Sequence, residues 1–249
     1  MINVKSKKEI ELMRVAGKIT AETLQLLEEN IKPGITTFEL DKMAEKFIRK
    51  NDCIPSFKNY GGFPGSICAS VNNVVIHGIP SHKVVLKEGD IISIDCGANY
   101  KGYHGDAART FAVGNISDDA KKLIEVTKDC FFQGLKFCRE GFRVSDISNA
   151  VQLRAEKEGY GVVRDFVGHG IGTSLHESPE VPNYGNPGRG ARLVAGMTVA
   201  VEPMINAGDY RVRVLEDDWT TVTQDGCLSA HYENTVLITG DEPELLTIY

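Results

Sequence analysis

Apolar residues recur at helical spacing in two segments near the start of the chain. Ser6 opens an S-x-x-E capping box, and the apolar positions after it predict a helix to about Asn30. After a Lys-Pro-Gly break, a second box at Thr36 predicts another helix to about Lys50. Alternating spacing over residues 66–75 then predicts a strand.

The next alternating stretch, residues 91–113, predicts two strands joined by a polar turn. With the two-residue loop placed at Tyr100 and Lys101, Asp95 on the first arm would face Asp106 on the second, roughly 5 Å away. Two carboxylates at that distance repel each other unless a positive charge lies between them, and a divalent metal would supply it. A solvent-facing hairpin with two surface acids is the alternative.

The same order of elements is predicted again in the second half, with helices over 118–137 and 145–158. An offset of 107 residues aligns the halves, pairing Gly34 with Gly141, Gly61 with Gly168, Gly89 with Gly196 and Asp95 with Glu202. The alignment predicts a duplicated unit, about 6–113 and 117–239, folded about a pseudo-twofold axis in a single domain of residues 1–249.

We therefore expect an α+β fold in which helices cover one face of a curved, mostly antiparallel sheet. The pseudo-twofold axis would bring Asp95 and Glu202 into one central cleft. Two independent tandem domains are the alternative, but each half would then bury a smaller core.

Composition and charge narrow the class of protein. A chain of 249 residues with 42% hydrophobic and 25% charged residues is typical of a globular protein with a full core. The net charge of -6 argues against nucleic acid or an anionic membrane as a partner, and no apolar run predicts an exported or membrane-spanning segment. We expect a cytoplasmic protein. Its six cysteines lack metal-binding spacing, and a disulfide framework would be unusual in so large a domain, so we expect them to be reduced.

Three more residues with metal-ligand chemistry stand near predicted strand ends. His169 lies between glycines in VGHGIG, Glu202 ends the apolar run TVAV, and Glu233 heads the apolar run NTVLI. Taken singly, each is also compatible with a structural role. Together with Asp95 and Asp106 they make four carboxylates and one imidazole, a set that suits two divalent ions sharing a water.

The motifs IDCG with HGD, VGHGIG followed by HESP, VAVEP, and HYENT resemble, in order and spacing, those of type I methionine aminopeptidases of the pita-bread metallopeptidase fold. The resemblance covers nearly the whole chain. It implies removal of N-terminal methionine, preferentially before a small uncharged residue, with two divalent ions drawn from Co, Mn, Fe or Zn. It also implies the metal ligands: Asp95 on one ion, His169 on the other, Asp106 and Glu233 bridging both, and Glu202 on one of the two.

The resemblance further implies roles for residues around the metals. His77 would lie near the scissile bond, His176 would contact the substrate carbonyl, and Glu202 would also transfer a proton. The methionine pocket would be formed by Tyr60, Phe63, Cys68 and Trp219. The remaining histidines, His82, His104 and His231, are assigned no chemistry. The chain departs from the common family pattern at Phe57, Gly61 and Leu175, which leaves the second-residue preference open.

The resemblance also implies partners and competing functions. The substrate would be a nascent polypeptide met transiently at the ribosome, and the protein would act as a monomer without a nucleic-acid or membrane partner. A peptidase of the same fold that cleaves before proline usually has an additional N-terminal domain, for which there is no room before the first helix. A non-catalytic binding protein of this fold would be expected to lose ligands, whereas all five are present. An α+β protein with a structural acid cluster would require the motifs to be coincidental.

Overall fold

Capping residues define the helices of the computed structural model, which describes residues 2–248. The four α-helices of these residues are α1 (Lys7–Asn30), α2 (Thr37–Lys50), α3 (Asp118–Leu135) and α4 (Val144–Glu156), and one 3-10 turn spans Tyr60–Gly62. Both predicted capping boxes are present, at Ser6 and Thr36, and Ser117 caps α3. All four predicted helices are confirmed, with ends within two residues of the prediction.

The strands of the first half form a central hairpin with short flanking strands. They are β1 (Ile54–Pro55), β2 (Ile67–Val71), β3 (Val74–Ile76), β4 (Ile91–Tyr100) and β5 (Tyr103–Ala112). Strand β4 pairs with β1, β2 and β5, and every one of these ladders is antiparallel.

The second half contains ten short strands within residues 2–248. They are β6 (Gly161–Val162), β7 (Gly168–Gly170), β8 (Glu177–Val181), β9 (Thr198–Val201), β10 (Met204–Asn206), β11 (Val212–Val214), β12 (Thr221–Thr223), β13 (Ser229–His231), β14 (Asn234–Leu237) and β15 (Glu244–Leu245). They form antiparallel sheets in the orders β15-β14-β9-β7-β8, β13-β10-β6 and β11-β12-β3. The predicted α+β class is confirmed.

The single strand predicted over residues 66–75 is wrong, because the chain turns at Asn72. This residue has a φ of 55°, and its side-chain oxygen accepts a hydrogen bond from the backbone N of Ile91. The turn separates β2, which pairs with β4, from β3, which pairs with β12 of the second half. The first half therefore contributes a strand to a sheet made largely by the second.

The loop of the β4–β5 hairpin is one residue later than predicted. Tyr100 pairs with Tyr103, and the two loop residues are Lys101 and Gly102, with φ values of 49° and 88°. Positive φ at both positions is the geometry of a two-residue hairpin turn of type I′, which favours glycine at the second position. Gly102 therefore determines which two residues form the loop.

The later loop shifts the strand register by two positions. Asp95 faces Ala108 and Asp106 faces Gly97, so the predicted direct pairing of Asp95 with Asp106 is wrong. Because side chains alternate with a period of two, the shift leaves both acids on the same face of the sheet. Asp95 and Asp106 are therefore diagonal neighbours, and both still face the predicted cleft.

The same backbone contacts occur within each half, at positions that differ by 107 residues. One isolated antiparallel bridge precedes α2 and another precedes α4, and the bridged pairs are Thr36 with Val85 and Arg143 with Arg192. Gly89 and Gly196 both turn the chain with a φ of 91°. These repeated contacts relate the halves by the predicted pseudo-twofold axis.

Helix α1 lies directly on the hairpin through two glycines. A Cβ atom added to Gly105 would lie 2.7 Å from the Cα atom of Gly17, and one added to Gly17 would lie 2.1 Å from the carbonyl oxygen of Leu246. The hydroxyl of Thr20 accepts a hydrogen bond from the backbone N of Ala98 and donates to the carbonyl of Gly105. The helix backbone thus fixes the strands that carry Asp95 and Asp106.

Apolar side chains fill the layer between helices and sheets. Leu24 and Leu40 pack on Ile92 and Ile94 in the first half, and α3 and α4 cover the second half in the same way. Across residues 2–248, no helix combines the length and the apolar character needed to cross a membrane. All six cysteines are free, as predicted.

Gly17→Ala is expected to lower the free energy of unfolding by about 2 kcal/mol, because the added methyl group overpacks against backbone atoms that cannot move independently. Urea unfolding followed by circular dichroism measures the change. Lys18→Ala is the matched control on the same helix turn. Its exposed side chain should change stability by less than about 0.5 kcal/mol. Equal stability of the two variants would contradict the close contact.

Candidate metal centre

Five predicted ligands reach one buried cavity from different strands. Asp95 and Asp106 lie on β4 and β5, His169 on β7, Glu202 directly after β9 and Glu233 directly before β14. Each is at most 8% exposed, and all five line a cavity of about 260 Å³. The structure therefore brings the whole predicted set together in one cavity.

The imidazole of His169 faces the carboxylates. Its Nδ1 is 2.9 Å from the carbonyl oxygen of Gly170, so Nδ1 carries the proton and Nε2 has a free lone pair. Nε2 is 3.4 Å from Oε1 of Glu202 and 3.9 Å from Oδ2 of Asp106. Ligand atoms of His169, Asp106 and Glu233 all lie within 4.8 Å of one another. This is the orientation that a metal-binding histidine requires.

The carboxylates are close together and incompletely satisfied. Burial raises the pKa of Asp106 to about 7. Burial, reinforced by neighbouring acids, raises the pKa values of Asp95, Glu202 and Glu233 well above their usual range. One oxygen each of Asp95, Asp106 and Glu233 has no hydrogen-bond partner among the described residues. A divalent cation would satisfy these oxygens and neutralise the acids, so the oxygen-rich set with one imidazole fits a divalent metal.

Hydrogen bonds join the two halves at the centre of the acid cluster. The backbone N of Glu233 donates to the carbonyl of Ala108 at 2.9 Å. The hydroxyl of Thr235 accepts from the backbone N of Asp106 and donates to its carbonyl, both at 2.9 Å. The guanidinium of Arg109 donates to the carbonyl of Glu233. These bonds hold β5 beside β14 without a regular ladder.

A second histidine lies against the first at the edge of the cluster. The rings of His169 and His176 are 4.2 Å apart between centroids, and burial lowers the pKa of His176. Its Nδ1 is 2.8 Å from the hydroxyl of Tyr60, so Tyr60 fixes the ring orientation. A role of Tyr60 beyond the wall of a pocket was not foreseen from the sequence.

The segment carrying His176 is held by the amino-terminal residues. The ammonium of Lys5 is 2.8 Å from Oε2 of Glu177, and both side chains are buried. The backbone N of Ser174 donates to the other carboxylate oxygen of Glu177, while the backbone N of Lys5 donates to the carbonyl of Gly196. Residues far apart in sequence thus fix the loop next to the metal ligands.

Apolar and aromatic side chains line the rest of the cavity. The predicted pocket residues are all present in its lining: Tyr60, Phe63, Cys68, His77 and Trp219. The ring of His77 packs edge-on against those of Phe166 and Trp219, and burial lowers its pKa to about 4. The three positions that depart from the family pattern, Phe57, Gly61 and Leu175, also line the cavity.

Sequence reasoning did not identify three lining residues, Ile76, Phe166 and Val167. Ile76 directly precedes His77, Phe166 precedes the VGHGIG motif and Val167 begins it, so closeness in sequence to the two histidines was the available signal. Two histidines without assigned chemistry lie elsewhere. His104 bonds to Ser56 and Asn99, and His82 stacks on Phe38.

Comparison with known proteins gives consistent matches. The model of metallopeptidase family M24 matches residues 11–240. A methionine aminopeptidase of Clostridium acetobutylicum is 61% identical over 100% of this chain and 99% of its own length. The crystal structure of methionine aminopeptidase from Rickettsia prowazekii superimposes with a TM-score of 0.98 at 44% identity, covering 100% of both chains. An Xaa-Pro dipeptidase from Bacillus anthracis has a TM-score of 0.80 at 26% identity, covering 98% of this chain and 61% of its own. These matches confirm the predicted pita-bread fold.

The raised pKa of Asp106 is expected to make the stability of the metal-free protein depend on pH. Between its ordinary pKa of about 4 and its folded value of about 7, Asp106 binds more protons in the folded state, so its contribution to the free energy of unfolding falls over this window and is constant above it. Comparison with Asp106→Asn cancels the opposite contribution of the buried histidines, whose pKa values burial lowers. In urea unfolding of chelator-treated proteins, the native chain should lose at least about 1 kcal/mol relative to Asp106→Asn between about pH 5 and about pH 7. A difference that does not change with pH would contradict the raised pKa.

Proposed function

The chain belongs to metallopeptidase family M24, and we propose that it is a metal-dependent aminopeptidase that removes the N-terminal methionine of nascent proteins and peptides. The observation that carries this proposal is the position of the acid cluster. Four carboxylates and the imidazole of His169 lie beside an apolar cavity in the same pocket. Hydrolysis and recognition of one apolar residue therefore share a site. Cleavage would be favoured before a small uncharged second residue.

The acid cluster would hold two divalent ions. Asp95 would bind one ion, His169 and Glu202 the other, and Asp106 and Glu233 both. When bound, such ions supply a water acidified to near-neutral pH and polarise a peptide carbonyl. Cobalt, manganese, iron and zinc all suit carboxylates with one imidazole, and availability selects among them.

Two side chains of this protein would manage the proton and the developing charge. Glu202 would accept the proton of the attacking water and return it to the leaving amine. His176 would donate a hydrogen bond to the substrate carbonyl oxygen. When the Tyr60 hydroxyl donates to Nδ1 of His176, the ring proton resides on Nε2, which makes Nε2 the donor. Preorganised donors of this kind stabilise the charge that develops on the oxygen.

The remaining cavity would select methionine by shape. Phe63, Cys68 and Trp219 provide apolar surface, and an unbranched thioether side chain adapts well to aromatic walls. His77 would lie near the scissile bond, and Tyr60 would close the rim. The aromatic contact of Trp219 with Phe63, 5.2 Å between centroids, supports a stable wall.

The wider setting follows from the substrate. We propose a single catalytic domain over residues 1–249, with the internal repeat at about 6–113 and 117–239. It would act as a monomer in the cytoplasm on nascent chains, with transient ribosome association. The net charge of -6 supports the absence of nucleic-acid and membrane partners.

The direct test is cleavage of a Met-Ala-Ser peptide and of an Ala-Pro-Ser peptide, in which proline follows a residue other than methionine. Chelator-treated protein receives Mn, Co, Fe or Zn singly, and the released N-terminal amino acid is measured. We expect release from the first peptide only, and only with metal. Cleavage confined to the proline peptide would indicate the rival peptidase of this fold. No cleavage with any ion would indicate a non-catalytic binding protein.

Two histidine variants separate metal binding from charge stabilisation. His169→Ala should weaken metal binding at least about tenfold and lower activity with it. His176→Ala should retain its metal but lower kcat about 100-fold, because a donor to the carbonyl oxygen is lost. Metal content by mass spectrometry and steady-state kinetics distinguish the two. His82→Ala, an exposed ring away from the cavity, is the control. Loss of metal from His176→Ala, or full turnover by His169→Ala, would contradict these roles.

A further inference from the structure

One more imidazole lies in the acid cluster besides that of His169. His231 ends β13 and is 1% exposed, and its Nε2 has no hydrogen-bond partner in the part of the chain that the structure describes. Nε2 is 3.7 Å from Oε2 of Glu233, too far for a hydrogen bond. Ligand atoms of His231, Asp95 and Glu233 all lie within 4.8 Å of one another. A buried nitrogen without a partner therefore points toward two carboxylates.

These separations suit donors that share one ion. Transition metals bind imidazole nitrogen and carboxylate oxygen at about 2.1 Å, so two donors of one ion lie roughly 3 to 4 Å apart. The distance of 3.7 Å between His231 and Glu233 falls in this range. His169 forms a second such group with Asp106 and Glu233, so the two groups share Glu233 but have different imidazoles.

The pseudo-twofold relation gives an independent reason for this position. Asp106 on β5 stands opposite Gly97 on β4. In the second half, His231 on β13 stands opposite Met204 on β10. Gly97 and Met204 are related by the offset of 107 residues that aligns the halves. His231 is therefore the counterpart of Asp106, which is itself a predicted ligand of both ions.

The strand backbone fixes the ring in this place. The backbone N of His231 donates to the hydroxyl of Thr110 at 2.8 Å, and that hydroxyl donates to the carbonyl of His231 at 2.9 Å. The ladder pairing of His231 with Met204 holds the other edge of β13. The side chain is thus delivered by a rigid element rather than by a loop, as precise metal sites require.

We propose that Nε2 of His231 is a further ligand of the ion held by Asp95 and Glu233. The proposal rests on the dinuclear site of the proposed function. Each ion then has one imidazole ligand, His169 on one and His231 on the other. A second nitrogen donor favours zinc and cobalt relative to manganese, compared with a site of oxygens alone.

Electron spin echo envelope modulation of bound Mn²⁺ detects a directly coordinated imidazole nitrogen and tests the proposal without activity. His169→Gln removes the first imidazole, and nitrogen modulation should remain on its bound Mn²⁺. The double variant His169→Gln, His231→Gln should lose it, which assigns the nitrogen to His231 and not to the neighbouring His176. Modulation retained in the double variant would overturn the proposal. Bound Mn²⁺ without nitrogen modulation in His169→Gln would overturn the proposal.

Titration calorimetry with Mn²⁺ gives a second measurement in a chain that retains His169. His231→Leu, which has no donor atom, should weaken one of two binding events at least about tenfold, while His82→Leu leaves both unchanged. Unchanged binding in His231→Leu would also overturn the proposal. Failure of the native chain to bind Mn²⁺ at all would instead contradict the dinuclear site itself, so the two failures are distinguishable.

Discussion

The burial of four carboxylates in one cavity is the constraint on which the rest of the structure depends. Removing charged groups from water costs free energy unless opposite charge or hydrogen bonds compensate, and here one oxygen each of Asp95, Asp106 and Glu233 has no hydrogen-bond partner among residues 2–248. The acids stand on paired strands or directly beside them, which holds the four carboxylates close together. Metal binding and the ionisation of Asp95, Asp106, Glu202 and Glu233 are therefore one coupled equilibrium.

The duplicated architecture explains how one cavity collects so many ligands, and also why they are not symmetric. In the first half Asp95 faces Ala108. In the second half Glu202 faces Glu233, because the ladder pairs on either side of Glu202 continue in one register. Pro203 interrupts the pairing of the second half at this point, because proline cannot donate a hydrogen bond to a ladder. The first half retains a continuous hairpin, and the second is divided into β9 with β14 and β10 with β13. The two halves thus have the same backbone arrangement but contribute different side chains to the acid cluster.

The sequence predicts features that depend on local chemistry and misses those that depend on turns and distant contacts. Capping boxes at Ser6 and Thr36 marked the first two helices correctly. The predicted hairpin register was wrong, because alternation does not show which residues form the loop. Gly102 places that loop one residue later than predicted. Asn72 divided a strand whose apolar pattern continued through the turn. The motif residues around the cavity were found, but the contact of Lys5 with Glu177 has no local signal, and His231 is recognised only once the register is known.

The bonds that complete the cavity span long stretches of chain, which has a consequence for the order of folding. Lys5 and Glu177 are 172 residues apart in sequence, and Asp106 and Thr235 are 129 apart. Closing such long loops costs chain entropy before the contacts return any free energy. Each helix pair can pack on its own strands early, whereas the cavity forms only when the two halves dock. A fragment ending with β13 would lack Glu233 and Thr235, and with them the hydrogen bonds that join the two halves.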